Sequence, residues 1–140
     1  MRPLHVPAFL TALALAACAG IPKHESDAET RARYEQYAGA PVDHITYLGS
    51  YSGWEPLGRD ALVLWTGIND AYLLKVNGPC TDLPFATHIG LTSTGSTVYA
   101  RFDFVKVDHW RCQIDEIRPV DYRRMRADLR AARAPAGTQR

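Results

Sequence analysis

Arg101 and Asp103 stand two residues apart in a segment of alternating β character. A strand places such a pair on one face, with Phe102 on the other. The chemistry that follows is recognition of a polar group by a guanidinium and a carboxylate, or a rim ion pair with a structural role. Asn69 and Asp70 carry turn chemistry and could add an amide and a carboxylate. With Trp54 and Arg118 these residues make up the candidate binding surface. General acid–base catalysis needs two groups brought together. Asp82, Asp103, Asp115 and Glu116 are available for it, and nothing in their spacing singles out a pair. His88 and His109 lack His, Asp or Glu companions at a metal-ligand spacing. Ser50, Ser52, Ser93 and Ser96 sit in or beside turns without a nucleophile-elbow pattern. There is no phosphate loop and no zinc-protease motif. The expectation is a non-catalytic protein with no catalytic residues, no metal and no cofactor.

The elements that must position these residues read as a small β domain. Its centre is Ala61-Leu62-Val63-Leu64-Trp65-Thr66, a polar turn, and Ala71-Tyr72-Leu73-Leu74-Lys75-Val76. These runs predict a hairpin with a four- or five-residue loop. Upstream, 42–51 predicts a strand through Ile45, Tyr47 and Tyr51, and Gly53-Trp54 and Gly58 a bend with Trp54 and Leu57 at the core edge. Downstream, 80–86 predicts a short helical turn held by Leu83 and Phe85. Strands follow over 88–92, over 97–102 and 104–107, and over 110–117, with Val98, Phe102, Phe104 and Val107 in the core. On the last strand Cys112 and Ile114 share a face, and Ile117 falls opposite them unless a bulge intervenes. Six short strands at close spacing predict an antiparallel, β-rich fold. The expected form is a small OB-like or SH3-like barrel; an open curled sheet covered by one helix is the alternative. A short helix over 27–38, boxed by Ser26 and Glu29, precedes it, and a basic helix follows it.

Two other features give an address. Arg2 and His5 precede a largely apolar run, 6–17, of secretory length and too short for a comfortable membrane span. It ends in Leu15-Ala16-Ala17-Cys18, which resembles the bacterial lipobox. That resemblance implies cleavage before Cys18 and its acylation, palmitate included, with more than one chain giving a stable anchor. Ala19, rather than an aspartate, implies sorting to the outer membrane, facing the periplasm. The expected partition is a signal peptide (1–17), an anchor, spacer and short helix (18–41), a β domain (42–118) and a basic helical tail (119–140).

With Cys18 assigned to lipid, Cys80 and Cys112 remain. An oxidising compartment makes them a natural disulfide pair, and the absence of a Cys-x-x-Cys unit weakens the metal and redox readings. The 140 residues carry a net charge of +1, which gives no general push toward nucleic acid. The charge is unevenly spread: 118–140 holds 7 basic and 2 acidic residues. Tyr122, Met125, Leu129 and Ala132 share one face of the tail helix, with arginines over much of the rest. That face either packs on the body or meets anionic lipid headgroups. Nucleic acid is not expected, because no aromatic residues interleave with the arginines.

The block from Trp54 to Asp121 resembles a family of small proteobacterial lipoproteins of unknown function. The likeness lies in Leu62-Val63-Leu64-Trp65-Thr66, Gly78-Pro79-Cys80, Ile89-Gly90-Leu91-Thr92-Ser93, Arg101-Phe102-Asp103 and Ile117-Arg118-Pro119-Val120. It implies a lipoprotein and no activity, catalytic residue or ligand. Three functions stand against one another: an envelope lipoprotein that binds or scaffolds another envelope component, a small-ligand carrier or sensor, and a hydrolase. The oligomeric state is not legible.

Overall fold

A computed structural model describes residues 24–135. The chain forms α1 (Asp27–Gln36), β1 (His44–Thr46), β2 (Gly53–Pro56), β3 (Ala61–Trp65) and β4 (Ala71–Val76). A 3-10 turn (Leu83–Phe85) precedes β5 (Gly90–Leu91), β6 (Thr97–Tyr99), β7 (Phe104–Val107), β8 (Trp110–Val120) and α2 (Tyr122–Arg133). Six strands make one antiparallel sheet in the order β2-β3-β4-β8-β7-β5, curled into a half-barrel. β1 and β6 pair as a separate ribbon. The β-rich antiparallel fold with a helix at each end is as the sequence led us to expect. Its edges, β2 and β5, do not pair with each other, so the curl stays open.

The sheet is buried on both faces, which is why its central strands are so apolar. From β3 and β4, Leu62, Leu64, Leu74 and Val76 point into the curl, where they meet Val98, Val105, Ile114 and Ile117. Alternate residues Ala61, Val63, Ala71 and Leu73 point outward, to Tyr34 of α1 and Met125 of α2. Each fully buried aliphatic side chain contributes about 1.5–3 kcal/mol. α1 opens on the expected capping box: Ser26 Oγ accepts from Glu29 N, and Ser26 N donates to the Glu29 carboxylate. It ends two residues early, because Ala38 leaves the helix to bridge to Val120. α2 starts on Asp121, whose carboxylate accepts from Arg124 N at 3.1 Å. Its apolar stripe packs inward: Met125 is buried and Tyr122 and Leu129 are half-buried, whereas Ala132 is exposed.

Several expectations need correction. The strand expected over 42–51 is only three residues long, because Gly49 takes φ +84° and the chain turns away. The bend expected at Gly53-Trp54 is strand β2, paired with β3 from Gly53–Trp65 to Pro56–Leu62. Pro56 is tolerated because β2 is an edge strand. Gly58, at φ +97°, makes the turn into β3 that a Cβ would strain. Phe85 and Phe102, expected in the core, are exposed, and Phe104 is half-buried beneath the Arg111 guanidinium. Phe102 misses the core because the chain leaves β6 at Tyr99 and turns through Arg101, at φ 63°. The bulge conditionally expected on the last strand is present. Lys75 pairs with Glu116 and Val76 with Ile114, and this shift returns Ile117 to the same core as Ile114.

Cys80 and Cys112 form a disulfide with their Cα atoms 5.9 Å apart. It ties the loop after β4 to β8. Cys18 and the rest of residues 1–23 lie outside the described residues, as do 136–140.

Candidate functional site

The six candidate binding residues do not converge on one site. Arg101 and Asp103 part company at the left-handed turn. Arg101 reaches outward to Asp43, 3.2 Å away, where both side chains are largely in solvent. Such a pair contributes little to stability. Asp103 turns inward and is 3 % exposed, so it offers nothing to an external ligand. Its Oδ1 accepts from Thr92 Oγ1 at 2.6 Å and its Oδ2 from Tyr99 N at 2.8 Å. Thr92 Oγ1 in turn accepts from Phe104 N at 2.8 Å. The carboxylate thereby ties the end of β6 to the start of β7 and the end of β5. The expected shared face fails because Arg101 and Asp103 lie in a turn rather than on a strand.

Arg118 is likewise spent on structure. Its Nε donates to Gly39 O at 2.8 Å and its Nη2 to Ala38 O at 3.1 Å, which holds the segment leaving α1 against β8. Trp54, opposite Leu64 on β2, is half-buried against the inner core. Asp70 closes the β3–β4 turn, its carbonyl accepting from Thr66 N at 3.0 Å, and borders a depression with Leu48 and Tyr72. Asn69 alone is gathered into a cluster: it lines a depression of about 260 Å³ with Arg123, Arg126 and Arg130 of α2. The sequence offered the arginine periodicity but not the turn that meets it.

A cleft of about 520 Å³ lies where the end of α1 meets the start of α2. Within it Tyr37 donates its hydroxyl to Asp128 Oδ2 at 2.8 Å, and Arg124 stands 3.9 Å from the same carboxylate. The hydrogen bond to Asp128, then burial and the carboxylate charge, push the Tyr37 phenol above its ordinary value. Tyr37, Asp128 and Arg124 are partnered to one another there. Among the described residues no three His, Cys, Asp or Glu side chains form a metal-ligand set, and no helix is long and apolar enough to cross a membrane.

A strongly perturbed group belongs to the outer core. Tyr34 stacks edge-on against Trp65, with ring centroids 6.2 Å apart, and donates to Glu55 Oε2 at 3.2 Å. Burial, followed by the Glu55 charge and hydrogen bond, raises its phenol well above the ordinary 10.0. An unfolded chain ionises this tyrosine first as pH rises. Stability tied to the neutral phenol is intact below pH 10 and is lost as pH climbs above it toward the raised folded value. Thermal melts of Tyr34→Phe should show a shallower alkaline decline than the parent; an identical decline would refute the assignment. Some decline remains, since burial raises the Tyr47 phenol too.

No curated protein and no solved structure is significantly similar to the chain. One family model matches it, over residues 1–136, and is described as a family of unknown function. The chain belongs to that family, DUF6491.

Proposed function

We propose that this protein is a membrane-anchored lipoprotein of the bacterial envelope, whose β domain binds or scaffolds another envelope component and catalyses no reaction. The observation that carries the reading is how the polar candidates are used. Asp103 and Arg118 are committed to backbone and side-chain partners inside the fold, and Arg101 to an exposed ion pair. The curl itself is filled by Leu62, Leu64, Leu74, Val98, Val105 and Ile114, all fully buried, which counts against a small-ligand carrier. What remains for function is the outer surface, with Leu48, Ile68 and Trp110 exposed on it.

The anchor half of the proposal rests on Leu15-Ala16-Ala17-Cys18 and on the Cys80–Cys112 disulfide, which suits an oxidising compartment. Ala19 supports the outer membrane, and the same segment supports reading the family as small proteobacterial lipoproteins. Seven residues lie between Cys18 and Ser26, the cap of α1, and the eight steps between those two span at most about 29 Å at full extension. The domain would sit close to the bilayer that holds it.

Cys18→Ser tests the anchor. After a high-salt wash, which strips purely electrostatic association, the parent should partition with detergent and incorporate labelled palmitate, and the variant should do neither; a variant that still partitions with detergent would defeat the anchor. In-cell crosslinking with mass spectrometry tests the binding half. A reproducible envelope partner supports it, and a protein that crosslinks to nothing counts against it.

A further inference from the structure

Arg123, Arg126 and Arg130 recur along α2 at spacings of three and four, which places them on one helical face. The tip of the β3–β4 turn meets that face, and Asn69 joins the three arginines around one depression. No carboxylate lines it, and among the described residues none of these three guanidinium groups takes part in an ion pair. Arg124, on another side of the helix, is by contrast within 3.9 Å of Asp128. Arg126 is half-buried, its guanidinium 5.7 Å from the centre of the Tyr122 ring, so its position is set by packing. Three like charges gathered without a counter-charge repel one another, and an anion placed among them removes that cost.

The surroundings say what carries the anion. Arg126 also borders a second, shallower depression whose other walls include Trp65, Tyr122 and Ile68. Ile68 stands 82 % exposed at the turn tip. A soluble anion has no use for a protruding aliphatic side chain. A bilayer surface does, because arginines, aromatic rings and an aliphatic tip match its phosphates, its interfacial layer and its acyl boundary.

We propose that this surface docks on an anionic phospholipid bilayer. The guanidinium groups of Arg123, Arg126 and Arg130, with the Asn69 amide, donate to headgroup phosphate oxygens, while Ile68 enters the acyl boundary. The inference rests on the envelope reading only for the presence of a membrane, and it does not need the acyl chain.

The test uses the full chain carrying Cys18→Ser, so that no lipid is attached. Cosedimentation is measured with vesicles of phosphatidylcholine alone and of phosphatidylcholine mixed with phosphatidylglycerol. The apolar leader is common to all variants, so differences between them belong to the patch. Each arginine near an anionic surface should add roughly fivefold, so Arg123→Gln with Arg130→Gln should lose about 25-fold on anionic vesicles. That pair leaves Arg126 on Tyr122, and an unchanged melting temperature shows that the fold survives. Ile68→Ser should lose roughly tenfold by forfeiting apolar burial. Binding should weaken with added salt. Equal affinity of the double variant and its parent for anionic vesicles overturns the proposal. So does a deficit of the double variant as large on neutral vesicles as on anionic ones, and so does release by inorganic phosphate at the concentration of vesicle phosphate, which would mark a soluble-anion site. Palmitate labelling of the parent reports on the anchor alone, so failure of that reading and failure of this one are distinguishable.

Discussion

Replacing Cys80 and Cys112 together by alanine is expected to lower the unfolding free energy by roughly 3–4 kcal/mol, the chain-entropy value for a loop of this length. The bond joins residues 32 apart and ties the segment after β4 to the long strand β8. Opening it frees a loop that contains the 3-10 turn and three short strands, β5 to β7. Both cysteines are buried, so the alanines also leave small voids that add to the loss. For a domain of this size the melting temperature should fall by on the order of 10–20 °C. Calorimetry of the parent with and without reductant should reproduce most of that shift. Equal melting in both conditions would show that the bond constrains nothing.

Asp103→Ala is expected to be comparably damaging without touching a covalent bond. It removes the acceptor for Tyr99 N and for the Thr92 hydroxyl at a buried junction of β5, β6 and β7. Each buried donor left without a partner costs about 1–3 kcal/mol, so a total of roughly 2–6 kcal/mol should appear in urea unfolding. Asp103→Asn separates hydrogen bonding from charge. Its carbonyl oxygen can still accept from Tyr99 N, and its amide can donate to Thr92 Oγ1, which should hold the loss to about 1 kcal/mol. An alanine variant as stable as the parent would show that the turn holds itself. An asparagine variant as damaged as the alanine would show that the negative charge, rather than the acceptor geometry, is what the site needs.

The disulfide and Asp103 show how differently the chain reveals its parts. The disulfide was legible because only three cysteines exist and one sits in a lipobox-like context. Asp103 was not. Two-residue spacing implies a shared strand face, and only the left-handed turn at Arg101 sends the carboxylate inward and the guanidinium outward. The central hairpin was read with its correct bounds, since both of its faces are buried and nearly every position is apolar. β2 was misread because Gly53 and Pro56 are turn residues by composition, and an edge strand tolerates them. Phe85 and Phe102 were assigned to the core by their hydrophobicity, yet apolar side chains are common on protein surfaces.

The candidate binding surface divides the same way. The basic face of α2 follows from its arginine periodicity, and Asn69 from its turn chemistry, but they are far apart along the chain. Their meeting depends on α2 laying Met125 against the outer face of the sheet, which carries its arginines to the tip of the β3–β4 turn.

The sequence by itself determined local matters: the antiparallel β character, the two helix starts with their caps, the cysteine pair and the charge gradient toward the carboxyl end. Each arises from periodicity or from chemistry between near neighbours, which a linear chain displays. The tertiary structure alone decided which polar groups are consumed inside and which arginines are left without a counter-charge. That outcome depends on register, on one bulge and on one left-handed residue, and each of these redirects side chains whose partners lie many residues away.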